Sequence, residues 1–243
     1  MGYRKSAKYY DLFGEKSDIE YYRTLGKKYG AALEIGVGTA RVALELALAG
    51  VDVWGIDNSD EMLQIARAKL RKHPEPIQER VTLRKGDMRD FCLSKTFPLV
   101  LIPSSGFSHC LTTEDQLACL TCVYDHLEEK GVLALDIHLP SPSYTNTLKL
   151  IDKKEIGART VVRWISTRPD YVNQSLETVL LFETYENQEM TERIIESSRI
   201  SLIYKRELFL LLEKAGFIIE NVYGDFCRSG KVTNLVVVEA LKP

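Results

Sequence analysis

Three acidic side chains, each placed at the end of a short β-type run, have the types and spacing that suggest chemistry. Glu34 lies two residues before Gly36 in "ALEIGVG", Asp57 ends "VDVWGID", and Asp87 follows "RVTLRKG". Ionised carboxylates accept hydrogen bonds and donate none, so they suit hydroxyls, amino groups and cations as partners. If the three runs are parallel strands, their carboxyl ends lie at the sheet edge where α/β proteins bind ligands. We therefore expect these acids to line one binding site.

The elements that must position these acids alternate between β-type and helical runs, which is typical of an α/β protein with a parallel sheet. Strands are predicted in "ALEIGV", "VDVWGID", "RVTLRKGD", "PLVLIP" and "GVLALDIHLP". Helices are predicted in "ARVALELALAG", in "SDEMLQIARAKLRK" with Ser59 as N-cap, and from about Thr113 to Glu129 with Thr112 or Thr113 as N-cap. Near the end of the chain, "KRELFLLLEKAGF" predicts a helix, and "IIENVYGDF" and "NLVVVEAL" predict two strands.

The segment 158–204 departs from this alternation. It holds three long β-type runs, "ARTVVRWISTR", "QSLETVLLFETYE" and "TERIIESSRISLIY", joined by the turn-like "PDYVN" and "ENQEM". Alternating polar and apolar residues with short connections indicate an antiparallel sheet that has one solvated face. We therefore predict a core formed by residues 1–139 and 205–243, and an antiparallel β insertion over 140–204.

The glycine turn that follows the first strand predicts a nucleotide-type ligand. It brings backbone N–H groups and the positive end of a helix dipole towards that ligand. A dinucleotide turn favours a third glycine where this chain has Arg41, and Glu34 would repel a pyrophosphate. S-adenosylmethionine, with its sulfonium and amino acid tail, suits Glu34 better. An NAD(P)-dependent oxidoreductase on the same core, a catalytically silent cofactor-binding protein and a ligand-free structural turn remain as alternatives.

The other two acids are placed for an adenosine. Asp57 suits both hydroxyls of a ribose, and Asp87 suits the adenine amino group while the Met88 backbone N–H donates to the ring. Met62, one turn into the second helix, is placed to pack against the adenine face. Any one of these residues is equally a solvated strand end, a turn residue or a core side chain. The ordered set carries the interpretation.

This ordered set resembles the successive cofactor motifs of the class I S-adenosylmethionine-dependent methyltransferases. The matching stretches are "EIGVGTAR" at 34–41, "GIDNS" at 55–59 with Met62, and "GDM" at 86–88, and the likeness covers about residues 30–139. The resemblance implies a Rossmann-like, doubly wound seven-stranded sheet whose last strand is antiparallel, with S-adenosylhomocysteine as product. The insertion and the ending "VYGDF" are similar to a bacterial small-molecule branch that includes the sugar amine N,N-dimethyltransferases.

The same resemblance implies which residues bind the cofactor. Where the family has the third glycine of Gly-x-Gly-Thr-Gly, this chain has Ala40, which implies a tighter fit around the cofactor tail. The implied cofactor-binding residues are Glu34, Gly36, Gly38, Thr39, Arg41, Asp57, Asn58, Met62, Asp87, Met88 and Ser104.

Methyl transfer to an amine or hydroxyl of a small molecule requires alignment of donor and acceptor, and a base where the acceptor must lose a proton. It requires no metal. The candidate bases are His109 in "IPSSGFSHC", His138 in "LDIHLP" and Tyr10, although a lone histidine is more often structural.

Tyr3, Tyr9 and Tyr10, in an N-terminal segment (1–30) expected to act as a lid, either close the cleft or anchor the first helix. The insertion either walls the acceptor pocket or pairs two subunits.

Net charge and sequence motifs argue against several other classes of function. With 32 Lys and Arg against 34 Asp and Glu, the net charge of −2 argues against nucleic acid as a partner. "PSSG" at 103–106 replaces the Asn-Pro-Pro-aromatic motif associated with methylation of adenine or glutamine amides. The absence of an 18-residue apolar run and of a signal peptide predicts a cytoplasmic protein without membrane partners.

Overall fold

The structure is a computed structural model that describes residues 5–14 and 16–243, so Tyr3 lies outside the described residues. In this part of the chain the α-helices are α1 Tyr10–Phe13, α2 Ile19–Tyr29, α3 Arg41–Leu48, α4 Asp60–Leu70, α5 Glu75–Gln78, α6 Thr113–His126 and α7 Lys205–Lys214. The strands are β1 Ala31–Ile35, β2 Asp52–Asp57, β3 Val81–Lys85, β4 Phe97–Ile102, β5 Leu127–His138, β6 Lys149–Ile156, β7 Arg159–Asp170, β8 Ser175–Glu186, β9 Glu189–Ser201, β10 Ile218–Tyr223 and β11 Leu235–Leu241.

Seven strands form one mixed sheet, in the order β10-β11-β5-β4-β1-β2-β3. The pairs among β1 to β5 are parallel, whereas β11 runs antiparallel to both of its neighbours, β5 and β10. This arrangement confirms the predicted doubly wound sheet with its last strand antiparallel. The sheet order reverses between β1 and β4, so the ends of these two strands flank the crevice in which such sheets bind ligands.

The sheet is buried on both faces, which explains why its strands are nearly continuous apolar runs. One apolar cluster packs α6 and α7 against the sheet, and a second packs α2, α3 and α4 against the opposite face. Helix ends follow the predicted capping: the Ser59 hydroxyl accepts the Met62 N–H at 3.2 Å, and the Thr112 hydroxyl accepts the Asp115 N–H at 3.1 Å. The helix expected to reach Glu129 ends at His126 instead, because Leu127 already pairs with Phe97 of β4.

The second sheet is antiparallel and has four strands, in the order β6-β7-β8-β9. The sequence predicted only three of them. β6, "KLIDKKEI", was missed because it is a charged edge strand whose residues are nearly all exposed, so it lacks the alternation that marks a half-buried strand. One face of this sheet packs Val161, Phe182 and Ile194 against Phe13 of α1.

Among the residues that the structure describes, none of the helices has both the length and the apolar character needed to cross a membrane.

Close approach of the glycine turn to β2 requires the glycine at position 55. A Cβ placed on Gly55 would lie 2.6 Å from Val37 Cγ2, whereas a Cβ on Gly86 would meet nothing nearer than 3.6 Å. We expect Gly55→Ala to lower the free energy of unfolding by about 1–3 kcal/mol through overpacking. Gly86→Ala is the matched control, with an expected change of about 0.5 kcal/mol or less. Urea unfolding of both variants measures this, and equal losses would contradict the account.

Candidate active site

Glu34 is the most buried acid of the predicted cofactor set. Its side chain, near the end of β1, is 3% exposed, and Oε2 has no hydrogen-bond partner among the described residues. Burial raises the pKa of Glu34 to about 8, although the nearby Arg41 guanidinium and a backbone hydrogen bond from Ala43 oppose the rise. A buried carboxyl group with an unused oxygen is a strong acceptor for an ammonium group.

Asp57 connects the end of β2 to the glycine turn. Its Oδ2 accepts the Gly38 N–H at 2.8 Å and its Oδ1 accepts the Ser59 N–H at 2.8 Å. Burial raises the pKa of Asp57, and these backbone donors, with Asn58, act in the opposite direction. The glycine turn and the acid expected at the ribose are therefore held as one unit.

The turn itself uses three left-handed residues. Gly36 has φ +68° and Gly38 has φ +54°, a conformation that glycine adopts without steric cost. Ala40, at the N-cap of α3, has φ 61° and is completely buried. An alanine in this conformation costs roughly 1–2 kcal/mol, so the rest of the turn must hold it there. Ala40, which replaces the third glycine of the family motif, therefore adopts the left-handed conformation that a glycine would adopt there.

The residues expected at the adenine come from α4 and from the segment that follows β3. Asp87 forms an ion pair with Arg89 at 2.7 Å, which holds the pKa of Asp87 below its ordinary value. Met62 is buried, and Met88 is partly buried with its Cε 4.0 Å from where a Cβ on Gly36 would lie. Asn58 is exposed beside Asp57. The structure thus brings the three motifs together along one edge of the sheet.

Arg41 lies at the start of α3 and joins several parts of the site. Its guanidinium binds both oxygens of Asp18 at 2.6 Å and donates to the Ser104 hydroxyl at 2.8 Å. Both members of the ion pair are largely buried, with side-chain exposures of 14% and 6%. The sequence predicted Arg41 and Ser104 as cofactor residues but did not identify Asp18.

A cavity of about 440 Å³ opens beside Arg41 and Ser104, and it continues to the four-stranded sheet. Among the predicted candidates, Tyr10 and His138 line it, and His109 does not; His109 is exposed on the turn after β4. His126, on α6, uses both ring nitrogens in hydrogen bonds to Cys122 and Leu93. The other main lining residues are Tyr9, Phe13, Asp18, Asp136, Arg163, Phe182, Asp225, Phe226 and Leu235.

Residues 5–14 and 16–18 form a roof over the cavity that contacts both sheets. Towards the seven-stranded sheet, Asp11 accepts from the Thr39 hydroxyl at 2.7 Å and from Lys69 at 2.9 Å. Towards the four-stranded sheet, the Tyr9 ring stacks on Phe182 with ring centroids 5.3 Å apart. Tyr9 therefore both lines the cavity and anchors the segment, so for Tyr9 the two interpretations are compatible, whereas Tyr10 is seen to line the cavity.

Sequence reasoning missed Asp136, the buried acid near the end of β5. Its carboxylate accepts the backbone N–H groups of Ser104 and Ser105, both at 2.9 Å, and the Tyr22 hydroxyl at 2.6 Å. Burial raises its pKa, and these donors oppose the rise. A signal existed in "GVLALDIHLP", because a single acid inside an apolar strand needs partners.

These residues fit S-adenosylmethionine. Glu34 Oε2, which has no hydrogen-bond partner among the described residues, is available to an ammonium group, and Asp57, Asp87 and Met88 lie at or just after the ends of β2 and β3 at the same edge of the sheet. No group of three or more potential metal-ligating side chains occurs within residues 5–14 and 16–243.

Comparison with known proteins agrees with this geometry. Residues 32–131 match the family described as "Methyltransferase domain". The chain is 32% identical over 154 residues to an uncharacterized methyltransferase of Bacillus cytotoxicus, which covers 58% of this chain and 68% of that protein. An uncharacterized methyltransferase of Bacillus thuringiensis is 29% identical over the same coverage.

Solved structures share the fold over nearly the whole chain. The CcbJ methyltransferase from Streptomyces caelestis has a TM-score of 0.85 at 22% identity, covering 97% of this chain and 95% of that one. An S-adenosylmethionine-dependent methyltransferase from Clostridium acetobutylicum has a TM-score of 0.82 at 17% identity, covering 97% and 96%. CalS10 from Micromonospora echinaspora, described as an amino pentose methyltransferase, has a TM-score of 0.76 at 20% identity, covering 100% and 98%.

The chain therefore belongs to the methyltransferases. It is an enzyme whose methyl donor is S-adenosylmethionine, as the motifs predicted, and the comparisons do not favour the oxidoreductase alternative.

The buried Glu34 predicts a pH-dependent stability. Its folded pKa of about 8 lies above its ordinary value of 4.5, so the folded state keeps this proton longer than the unfolded state. Stability contributed by the protonated group is therefore lost as pH rises from about 4.5 to about 8, by a few kcal/mol at most, since each pKa unit is worth about 1.4 kcal/mol. We expect Glu34→Gln to remove this loss and to unfold at a higher urea concentration than the wild type at pH 9.

The control is Glu220→Gln, which changes an exposed acid on β10. We also expect Glu34→Gln to bind S-adenosylhomocysteine more weakly by calorimetry, because an amide accepts an ammonium group less strongly than a carboxylate does. Identical pH profiles for wild type and Glu34→Gln would refute the assignment.

Proposed function

We propose that this enzyme transfers a methyl group from S-adenosylmethionine to an amine of a small polar acceptor. The observation that carries the proposal is the aromatic-walled cavity that begins at Arg41 and Ser104 and ends at the four-stranded sheet. Its volume of about 440 Å³ lies within the usual range for small-molecule sites.

Glu34, the Gly36–Gly38 turn and Arg41 would hold the amino acid tail of the donor, and Asp57, Asp87 and Met88 its adenosine. When bound, S-adenosylmethionine supplies an electrophilic methyl group on its sulfonium. The chain's own contribution is then to align the acceptor with that methyl group and to exclude water.

The walls of the cavity suit an amine more than a hydroxyl. Tyr9, Phe13 and Phe182 form an aromatic cluster, in which the Tyr9 ring stacks on Phe182 and the tilted Phe13 ring has its centroid 5.9 Å from that of Phe182. Aromatic faces attract cations, so they favour the approach of a protonated amine. The structural likeness to CalS10, an amino pentose methyltransferase, also supports an amine acceptor.

A protonated amine must lose its proton before its lone pair can attack. His138 lines the cavity directly after the end of β5, and its backbone N–H donates to the Ser105 hydroxyl at 3.0 Å. That bond fixes the backbone of His138 and leaves its ring available to accept a proton. Tyr10 lines the same cavity and is the second candidate for this step.

The test is transfer of a labelled methyl group to a panel of small amines and to their matched hydroxyl counterparts, including amino sugars. We expect labelled product with an amine, and a rate about 100-fold lower in His138→Ala, since general bases typically contribute about 10²–10⁴. His109→Ala is the matched control, because His109 follows β4 yet does not line the cavity. Transfer to hydroxyls alone, or equal rates in the two histidine variants, would contradict the proposal.

We further propose that the outward face of the four-stranded sheet pairs two copies of the chain. One cross-strand row on this face is apolar across all four strands, and its edge members Leu150 and Ile195 are 54% and 63% exposed. The row consists of Leu150, Trp164, Leu181 and Ile195. Four strands about 4.8 Å apart and about 12 residues long give a face of roughly 750 Å², which is close to the area that a stable dimer buries per subunit.

A second copy would bury its own row against this one about a two-fold axis. We expect the wild type to elute as a dimer in size-exclusion chromatography with light scattering, and Ile195→Lys to elute as a monomer. Leu210→Lys, at an equally exposed position on α7, is the control. A monomeric wild type at micromolar concentration would refute the pairing. Exclusion of nucleic acid and a cytoplasmic location remain proposals from composition.

A further inference from the structure

We propose that Asp136 is a positioning residue, which sets the turn at Ser104 and Ser105 where the cofactor site meets the acceptor cavity. The inference deepens the proposed function and depends on it only for the role of the cavity. It assigns a task in the active site to an acid that the cofactor motifs do not include.

The turn after β4 has a backbone that needs support. Ser104 has φ 56° and Ser105 has φ 55°, so two consecutive residues with side chains adopt the left-handed conformation. Such residues are unfavourable singly and persist only where the surrounding structure fixes them. Glycine at both positions would remove the strain, but this chain has serine, so something else must hold the backbone.

Asp136 supplies that support from below the turn. Asp136 is 1% exposed. Its Oδ1 accepts the backbone N–H of Ser104 and its Oδ2 accepts that of Ser105, both at 2.9 Å. Two acceptors facing two parallel donors are a property of a carboxylate, whereas an asparagine has one oxygen and would point its own N–H₂ at the second donor. The Tyr22 hydroxyl, 2.6 Å from Oδ1, fixes the carboxylate in turn.

The supported turn places two hydroxyls in the site. The Ser104 hydroxyl accepts from Arg41 at 2.8 Å, and the Ser105 hydroxyl accepts from the backbone N–H of His138 at 3.0 Å. Asp136 thus acts through one serine on the cofactor side and through the other on the candidate base. It lines the cavity but acts on its contents through these residues.

A second buried pair of a tyrosine and an acid, Tyr21 with Glu239, provides a control because it does not bind the turn after β4. Tyr21, next to Tyr22 on α2, donates its hydroxyl to the buried Glu239 of β11 at 3.0 Å. Glu239 also accepts from Asn221 and Arg228, and it makes no hydrogen bond to the turn after β4. Glu239→Gln therefore reproduces the loss of a buried acid that binds a tyrosine, without disturbing the serines.

The test measures the affinity of S-adenosylhomocysteine by calorimetry in wild type, Asp136→Asn and Glu239→Gln, each also in a Ser105→Gly background. We expect Asp136→Asn to weaken binding about tenfold in the wild type but about threefold or less with Ser105→Gly, because glycine adopts the left-handed conformation unaided. Glu239→Gln should change the affinity by less than about twofold in both backgrounds, because Glu239 makes no hydrogen bond to Ser104 or Ser105.

Equal losses for Asp136→Asn in the two backgrounds, or none in either, would overturn the assignment, because a merely structural acid is not rescued at Ser105. If Asp136→Asn alone does not fold, recovery of folded protein by Ser105→Gly supports the assignment and failure to recover it overturns it. Because these readouts need no acceptor, they are independent of the amine assay, and either proposal can fail while the other stands.

Discussion

The rest of the active site depends on the buried ion pair between Arg41 and Asp18. A guanidinium removed from water needs a partner with matching geometry, and Asp18 provides both of its oxygens at 2.6 Å. Arg41 belongs to the helix that follows the glycine turn, and Asp18 precedes α2, so the pair fixes the N-terminal roof to the core. The same guanidinium reaches Ser104 and lowers the cost of burying Glu34. Donor site, roof and cavity are therefore assembled around one cation.

The placement of the predicted cofactor residues at one edge of the sheet could be foreseen from sequence because its determinants are local. Glu34 and Asp57 each lie near the end of a strand that their own neighbours define, and Asp57 accepts the Gly38 N–H of the glycine turn. The seven-stranded sheet was predictable for the same reason, since its strands are buried apolar runs between amphipathic helices. The prediction missed β6, whose charged residues carry no periodic signal.

The acceptor half could not be predicted in the same way, because its contacts join distant segments. Asp136 meets Ser104 and Tyr22 across 32 and 114 positions of sequence, and no local pattern encodes these distances. The two histidines show the same limit. His109 and His138 both lie near strand ends at the expected edge, yet of the two histidines only His138 lines the cavity. Tertiary packing, and not the local sequence, decides the direction in which each side chain points.

The ion pairs that hold the roof over the cavity differ in their exposure to water, and this difference bears on ligand entry and exit. Two solvent-exposed ion pairs hold the outer part of the roof, one between Lys69 and Asp11 and one between Lys8 and Glu192. The inner part is held by the buried ion pair between Arg41 and Asp18. Dissolved salt screens the outer pairs strongly and the inner pair weakly. Ionic strength therefore weakens the outer contacts of the roof more than the buried Arg41–Asp18 pair, and we expect the rates of ligand entry and exit to respond to salt more than the affinity for the bound donor does.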